Sequence, residues 1–380
     1  MVANRHLVNP LIDTWNLSVQ HSFAPNLSLE IGYVGNHSSD LPGLQDINQA
    51  PPGSESAAAG SPCPLTGAAL TASNCLQVAR PYYSQYPYVG FINYLTNLDT
   101  SNYDALQTTL TERNFHSLSL LLGYTYSHAI DNMSHYAPGS SLPQNSFAPS
   151  LDYGNSDFDI RHHVALSVTY KIPGKKSPAQ LLEGWSVNSL VLLQSGLPWN
   201  AVDKSNNISQ TGEFGDRWDF VGNPSDFTAG LNPIPFYPGS LAGTSGMPAA
   251  CTNAAAAHGA TASLAQFGCY AQGNSVMFAP ALGSFGTLGR NVFRDSGFRN
   301  WDFSVFKDWK FKERLTAQFR AEFFNILNHP NFANPGLVGT NDPSGAAFGA
   351  ENSTPDVAAT NPVLGTGGPR EIQVGLKLLF

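Results

Sequence analysis

Charged side chains are scarce in this 380-residue chain. Asp, Glu, Lys and Arg together make up 12% of it, about half the share that is usual in soluble domains. Long apolar runs are also missing, because the longest, around residues 118–122 and 190–193, last only a few residues. A membrane-spanning helix needs roughly 18 apolar residues, so spanning by helices is excluded.

A basic surface and a leader segment are missing too. The formal net charge is −8 and the isoelectric point is near 5.6, which argues against a nucleic-acid partner. The N-terminus, "MVANRHLVNPLIDTW", contains no apolar signal segment. Either the export signal is missing from this chain or the protein stays inside the cell.

Uncharged polar residues take the place of the missing charges. Ser, Thr, Asn, Gln and Gly are abundant, and they keep the mean hydropathy at only −0.16. The wall of a membrane β-barrel requires this composition, because one of its faces meets lipid and the other meets water.

The final stretch, "EIQVGLKLLF", alternates between apolar and other side chains. One face carries Ile372, Val374, Leu376, Leu378 and Phe380. A period of two indicates a strand rather than a helix. The strand is long enough to cross a bilayer, which takes roughly 9 to 11 tilted residues. Soluble β-sandwiches alternate in the same way, so this stretch alone does not decide between them.

The lengths of the connections between strands distinguish a membrane barrel from a soluble sandwich. The sequence predicts nine strands, near residues 11–22, 26–34, 101–113, 115–128, 161–172, 184–196, 299–310, 312–326 and 370–380. Short connections at "FAPN", "RNF", "PGKKSPAQLL" and "KFK" alternate with long ones at about 35–100, 129–160, 197–298 and 327–369. Short periplasmic turns and long extracellular loops give a membrane barrel this rhythm, which sandwiches and propellers do not explain. We predict an all-β fold, a transmembrane antiparallel β-barrel segment of about nine strands.

One segment, "ERLTAQFRAEFFNILN", also fits a helix. Leu315, Phe319, Phe323 and Ile326 have helical spacing, and Ala, Glu and Arg are good helix formers. However, apolar or small residues at 315, 317, 319, 321 and 323 alternate without error with polar ones between them. The alternation favours a strand.

The long connections are rich in Gly, Pro, Ser and Ala, as in "APPGSESAAAGSPCP" and "AAAAHGATAS". These residues resist regular structure, so surface loops rather than domains are predicted. The four cysteines occur as two local pairs, Cys63 with Cys75 and Cys251 with Cys269, each within one long connection. One disulfide per loop is expected in an oxidising space. Zinc is the alternative, but no CxxC spacing supports it.

Six stretches follow one another along the chain: "SNYDALQTTLTERNF", "LGYTYSHAID", "DYGNSDFDIRHHVALSVTYKIP", "GWSVNSLVLLQSGLPW", "LGRNVFRDSGFRNWDFSVFKDWKFKERLTAQFRAEFFNILNHPNF" and "PREIQVGLKLLF". In this order they resemble the C-terminal part of the Oar-like TonB-dependent receptors. The likeness runs from about Asn9 to Phe380. It implies an outer-membrane barrel of 22 strands around an N-terminal plug, in a Gram-negative-type bacterium. Neither plug nor TonB box is visible in the chain, which therefore resembles the last nine strands of a larger barrel.

The resemblance also implies partners. The barrel would contact outer-membrane lipid, and TonB would act through a plug that is absent from this chain. In outer-membrane proteins a terminal aromatic on an alternating strand resembles the signal that the barrel-assembly machinery reads, which gives Phe380 a role as an assembly signal. The ligand would be an unknown small molecule or glycan.

Candidate chemistry is sparse. The densest polar cluster, Asp152, Asp157, Asp159, His162 and His163, could bind calcium through carboxylate and backbone oxygens, or could cap its own turn. The spacing does not match an EF-hand loop. No nucleophile, base and orienting group can be placed together from the sequence, so we expect neither catalysis nor a cofactor.

Loop aromatics are the better candidates for ligand contact. They are Tyr82, Tyr83, Tyr86, Tyr88, Phe236 and Tyr237, which could stack on a sugar or siderophore or pack within their own loops. Three functions remain open: TonB-dependent uptake of a bulky carbohydrate or siderophore, a structural or adhesive barrel that displays binding loops without transport, and a soluble β-domain that binds carbohydrate.

Overall fold

A computed structural model describes residues 1–55, 63–66, 69–134, 142–213, 215–312, 315–358 and 367–380. Its main feature is one antiparallel sheet in which each long strand pairs with the next along the chain. The long strands are β1 (Leu11–Ala24), β2 (Leu27–Asp46), β3 (Asn93–Phe115), β4 (Leu118–Asp131), β5 (His162–Lys171), β6 (Trp185–Gln194), β7 (Phe298–Lys312), β8 (Leu315–Phe324) and β9 (Glu371–Leu379). Two short strands join it: Val2–Ala3 pairs with β3, and Gly154–Asn155 pairs with β4. The predicted all-β class and the strand at 315–324 are confirmed.

The register gives the sheet two chemically different faces. One row of consecutive partners is apolar across six strands: Leu29, Leu110, Leu122, Leu166, Val191 and Trp301. The adjacent row is small or mostly polar: Glu30, Thr109, Gly123, Ala165, Leu192 and Asn300. Side chains alternate across a strand, so the whole sheet has an apolar face and a polar face. In the final pair, Phe319 lies opposite Leu376 and continues the apolar face.

The connections lie at opposite ends of the sheet. Because neighbouring strands are antiparallel, the short ones at 25–26, 116–117 and 172–184 lie at one end, here called the turn end. The fourth falls at 313–314, outside the described residues, and the predicted turn residues 310–312 belong to β7. The long ones, 47–92, 132–161, 195–297 and 325–370, lie at the other end, the loop end.

Strands β2 and β3 run further than predicted. They remain paired from Leu41 and Asp99 to Asp46 and Asn93, within the segment 35–100 that was predicted as loop. The prediction was wrong there because this part, "GNHSSDLPGLQD", loses the alternation that marks a wall strand. Backbone pairing with a neighbour still holds it in a strand, with irregular register between Ser38 and Pro42.

The connection 195–297 folds into a compact unit, here called the loop lobe. It has a four-stranded sheet, in the order Asp219–Val221, Ser275–Phe278, Cys269–Gln272 and Phe236–Tyr237, and two helices, Ala249–Ala257 and Thr261–Phe267. The prediction that Ala-rich segments resist regular structure was wrong, because alanine is the best helix former and here each helix has a core to cover. That core includes Cys251, Ala255, Leu264 and Phe278. A second core of the lobe contains Trp199, Trp218, Phe227 and Phe293.

Other helical segments are short. They are Ala72–Ala79, Pro335–Val338 and Pro355–Ala358, with single 3₁₀ turns at Pro149–Asp152, Pro178–Gln180, Pro224–Asp226 and Gly239–Leu241. A two-residue ladder, Pro198–Trp199 with Phe293–Arg294, closes the base of the loop lobe. Among the described residues, no helix has both the length and the apolar character needed to cross a membrane.

Candidate functional site

Arg290 joins two long connections at the loop end of the sheet. Its guanidinium group contacts the carboxylate of Asp131, where β4 ends, and lies 3.6 Å from that of Asp157. Its Nε also donates to the backbone oxygen of Asp152 at 2.9 Å. Arg290, whose side chain is mostly buried, is therefore one link between the loop lobe and the connection 132–161.

A second clamp is built around Asp159, whose side chain is fully buried. It accepts hydrogen bonds from the backbone N–H of Ala129 at 2.7 Å and from Nε of Arg161 at 2.8 Å. Arg294 of the loop lobe contacts the same carboxylate and donates to the backbone oxygen of Gly196. Buried charges are tolerated when paired and hydrogen-bonded, and this cluster meets both conditions.

Arg217 and Asp152 form a third link, with 2.6 Å between guanidinium nitrogen and carboxylate oxygen. The other carboxylate oxygen of Asp152 accepts from the backbone N–H of Gln144 at 2.8 Å. Arg217 Nε donates to the backbone oxygen of Leu288. The aspartates of "DYGNSDFDIRHH" thus hold loops together through arginines.

A metal is not favoured at that motif. In the part of the chain that the structure describes, no group of three or more His, Cys, Asp or Glu residues is arranged to hold a metal ion. His162 lies on the apolar face, where Nδ1 is 2.9 Å from the hydroxyl of Tyr124. His163, one residue on, lies on the polar face, so the two imidazoles diverge.

The first long connection is tied to the loop lobe by a buried acid cluster. Arg80 lies 3.7 Å from Asp46, and both side chains are buried. Glu213 of the lobe lies beside them. Burial and then the neighbouring Asp46 raise the pKa of Glu213, against the opposing effect of Arg80, to about 8. Glu213 is therefore mostly protonated at neutral pH and can share a proton with Asp46.

The last long connection completes the assembly. The backbone N–H of Ile234 donates to the oxygen of Phe348 at 2.9 Å, and Phe348 packs in the core of the loop lobe. Glu351 accepts from the backbone N–H of Ser296 at 3.0 Å. All four long connections are therefore interlocked over the loop end of the sheet.

A cavity of about 350 Å³ lies between the sheet and the last connection. Its floor is His163, Leu192, Gln194 and Phe298, which the register places on the polar face. The remaining lining consists of Leu197, Asp295, Gly297, Phe332, Ala333, Asn334, Leu337 and Pro355. Its volume lies near the lower limit for small-molecule sites.

The predicted ligand-contact aromatics lie in two separate places. Tyr82, Tyr83, Tyr86 and Tyr88 follow a short helix of the first long connection, where Tyr88 is 97% exposed. Phe236 and Tyr237 form an edge strand of the loop lobe, with the Phe236 ring 4.8 Å from that of Tyr270. In the described part of the chain, no ring of one group stacks on a ring of the other.

The other predicted site residues are placed as follows. Disulfides join Cys63 to Cys75, and Cys251 to Cys269. Phe380 directly follows β9 and is 92% exposed. Sequence reasoning missed the arginines at 217, 290 and 294 and the cavity. The positive charge of these arginines was the available signal, because few other charged residues lie in the long connections.

The whole chain matches one protein family. The sequence profile of that family, described as "Outer membrane beta barrel domain", matches residues 2–373. The chain belongs to this outer-membrane β-barrel family. Its predicted location in the outer membrane is thereby confirmed, with the apolar face of the sheet as the surface toward lipid. Among curated proteins, no sequence matches the chain.

Solved structures of outer-membrane barrels are similar to this one. The outer membrane transporter YddB from Escherichia coli is 8% identical with a TM-score of 0.42, over 100% of this chain and 34% of that one. The ferric citrate transporter FecA is 14% identical with a TM-score of 0.37, over 97% and 31%. The ferripyoverdine receptor of Pseudomonas aeruginosa is 10% identical with a TM-score of 0.36, over 96% and 26%. The chain thus spans about a third or less of each of these proteins.

Proposed function

We propose that the chain forms part of the wall and the extracellular vestibule of a TonB-dependent receptor that takes up a bulky carbohydrate or siderophore. The observation that supports this most directly is the interlocked loop end. Four long connections meet over one end of the polar face; arginine–carboxylate pairs join the loop lobe to the connection 132–161, and hydrogen bonds join it to the last connection. Such a preformed cover over a water-facing wall suits capture of a solute.

Rigidity is the property that matters for capture. Loops that are already ordered lose little conformational entropy when a ligand binds, so more of the contact energy becomes affinity. Loops that only hold a partner protein by flexible wrapping would not need buried ion pairs between them. The proposal assigns the loop end to the cell exterior and the turn end to the periplasm.

The finer assignments belong to the same proposal. The ordered sequence motifs resemble the Oar-like receptors, and TonB would act through a plug outside this chain. Phe380, exposed after β9, would be read by the barrel-assembly machinery. The six loop aromatics remain candidates for ligand contact, with Tyr86 and Tyr88 the most exposed of them.

Uptake in intact cells tests this. Labelled ferric citrate, a ferric hydroxamate siderophore and maltohexaose are supplied to wild-type cells, cells without this protein and cells without TonB. We expect one probe to lose uptake in both deletions while surface binding persists without TonB. An adhesive or structural barrel predicts instead that the deletion changes surface attachment and leaves the uptake of every probe unchanged.

A further inference from the structure

The cavity over β5, β6 and β7 has a sharply divided lining. Six apolar side chains form most of its wall: Leu192, Leu197, Phe298, Phe332, Leu337 and Pro355. The polar side chains are His163, Gln194, Asp295 and Asn334. In the part of the chain that the structure describes, no lysine or arginine lines it. An apolar wall with a few convergent polar groups is the usual composition of a small-molecule site.

Two of the polar residues have already used their hydrogen-bonding capacity. Oδ1 of Asp295 accepts from the backbone N–H groups of Leu197 and Gly297, both at 2.9 Å, and Oδ2 accepts from Asn334 at 3.1 Å. Asn334 also donates to the backbone oxygen of Pro198 and accepts from Gly336. These residues hold the cavity in shape by fixing the base of the loop lobe to the last connection.

The other two polar residues of the lining, His163 and Gln194, still have free hydrogen-bonding groups. Within the described ranges, the side chains of His163 and Gln194 make no hydrogen bond or ion pair. They lie side by side on the polar face, since they are paired residues of β5 and β6. A half-buried imidazole and a primary amide, both unpartnered and facing an apolar cavity, are the groups that a ligand would satisfy.

We propose that this cavity binds a small neutral molecule with an apolar, preferably aromatic, body and one hydrogen-bonding group, which His163 and Gln194 recognise. Anions are disfavoured because, among the described residues, the lining holds the carboxyl group of Asp295 and neither lysine nor arginine. A cation finds Asp295 already occupied by three N–H donors. This inference does not depend on transport, because every residue that it names lies in the described part of the chain.

Indole and indole-3-acetate are suitable probes, since they share one apolar body and differ by a carboxylate. Binding is measured by equilibrium dialysis on the intact protein, extracted from outer membranes in detergent. We expect saturable binding of indole at one site and at least tenfold weaker binding of indole-3-acetate. Absence of saturable indole binding, or equal or tighter binding of the acid, would overturn the proposal.

Neighbouring residues on opposite faces supply matched variants. Leu192→Trp fills the cavity and should weaken indole binding at least tenfold, whereas Leu193→Trp, on the apolar face, should leave it unchanged. His163→Phe and Gln194→Leu should each weaken it about threefold to tenfold by removing a hydrogen bond. His162→Phe is the control for His163→Phe.

Each variant is used only after it shows wild-type migration on unheated gels. If Leu192→Trp does not fold, Leu337→Trp replaces it, because Leu337 is exposed at the rim and tolerates bulk. Unchanged binding in the filled variant together with His163→Phe would refute the site. The binding assay contains no TonB, so it is independent of the uptake experiment. If the purified protein does not bind indole but the cells take up a probe, only this site is refuted. If the protein binds indole but the deletion leaves the uptake of every probe unchanged, only the proposed uptake is refuted.

Discussion

Arg217 and Asp152 contact each other at 2.6 Å with both side chains less than a tenth exposed, although the two residues belong to different long connections. Removing one member of such a pair leaves the other charge buried and uncompensated, which costs about 3–5 kcal/mol. Replacing both members by neutral residues removes that penalty. The pair therefore adds little net stability, and its main effect is to fix the two connections in one arrangement.

The first prediction follows from this pair. Arg217→Met and Asp152→Asn should each destabilise the loop end by about 3 kcal/mol, and the double variant should recover most of the loss. Urea unfolding in detergent, followed by the fluorescence of the buried Trp199 and Trp218, measures it. Arg113→Met, at an exposed position near the turn end, is the control. Additive losses in the double variant would show that the two charges do not interact.

The second prediction concerns pH. Burial raises the pKa of Glu213 from 4.5 to about 8, so the folded state holds a proton that the unfolded state has released. The contribution of Glu213 to the stability of the loop lobe should therefore be fully present below pH 4.5 and be lost as the pH rises through about 8. The slope is at most about 1.4 kcal/mol per pH unit.

Asp216 also makes the lobe less stable as the pH rises, but at lower pH, because burial raises its pKa from 3.8 to about 6. Burial also raises the pKa of Asp295 and of Glu351, so a variant is needed to assign the change between pH 6 and pH 8 to Glu213. Glu213→Gln, which cannot ionise, should flatten the stability curve in that interval. Glu371→Gln, exposed on β9, should not change it. A slope that persists in Glu213→Gln would assign the pH dependence elsewhere.

The third prediction concerns the disulfide from Cys251 to Cys269, which fixes a helix of the loop lobe to its sheet. Replacing both cysteines by serine should cost the lobe roughly 3 kcal/mol under the chain-entropy model. Limited proteolysis should then cut within the lobe while the wall strands stay resistant. The corresponding replacement of Cys63 and Cys75 should leave the lobe unaffected. Non-reducing peptide maps of the wild type should show both local bridges, and free thiols would contradict them.

How far the sequence predicts this fold depends on the range of the interactions. Alternation is local, so all nine wall strands were predicted, including the ambiguous segment that became β8. The extension of β2 to Asp46 was missed because it depends on pairing with β3 rather than on alternation. The helix Ala249–Ala257 was missed because its low-complexity sequence was interpreted as irregular, whereas a core and a disulfide order it.

The site was less predictable for a related reason. The carboxylates of the "DYGNSDFDIRHH" motif were recognised as a cluster, but their partners Arg290 and Arg294 lie more than a hundred residues away. The cavity joins β5, β6 and β7 to Asn334, which no spacing rule connects. Only the alternation of His162 and His163 between the two faces could have been read directly.

The fourth prediction tests the orientation in the membrane. Leu231→Cys in the loop lobe and Lys175→Cys in the connection 172–184 each place one thiol at an exposed position at opposite ends of the sheet. All four native cysteines are in disulfides. A membrane-impermeant maleimide added to intact cells should label Leu231→Cys only. Labelling of Lys175→Cys before the cells are opened would reverse the assignment.

The last prediction concerns the edges of the sheet. Among the described residues, β1 has one long neighbour, β2, and β9 has one, β8. The opposite edge of each therefore presents backbone N–H and C=O groups that no described strand pairs with. Such groups cost several kcal/mol each in lipid, which is why spanning sheets close into barrels. Nine is also an odd count, whereas bacterial single-chain barrels have even numbers. These residues expressed alone behind an export signal should therefore fail to give a heat-modifiable, protease-resistant monomer. Expression together with a segment that supplies the missing strands should restore one. A resistant monomer that formed from these residues alone would show that the sheet closes on itself.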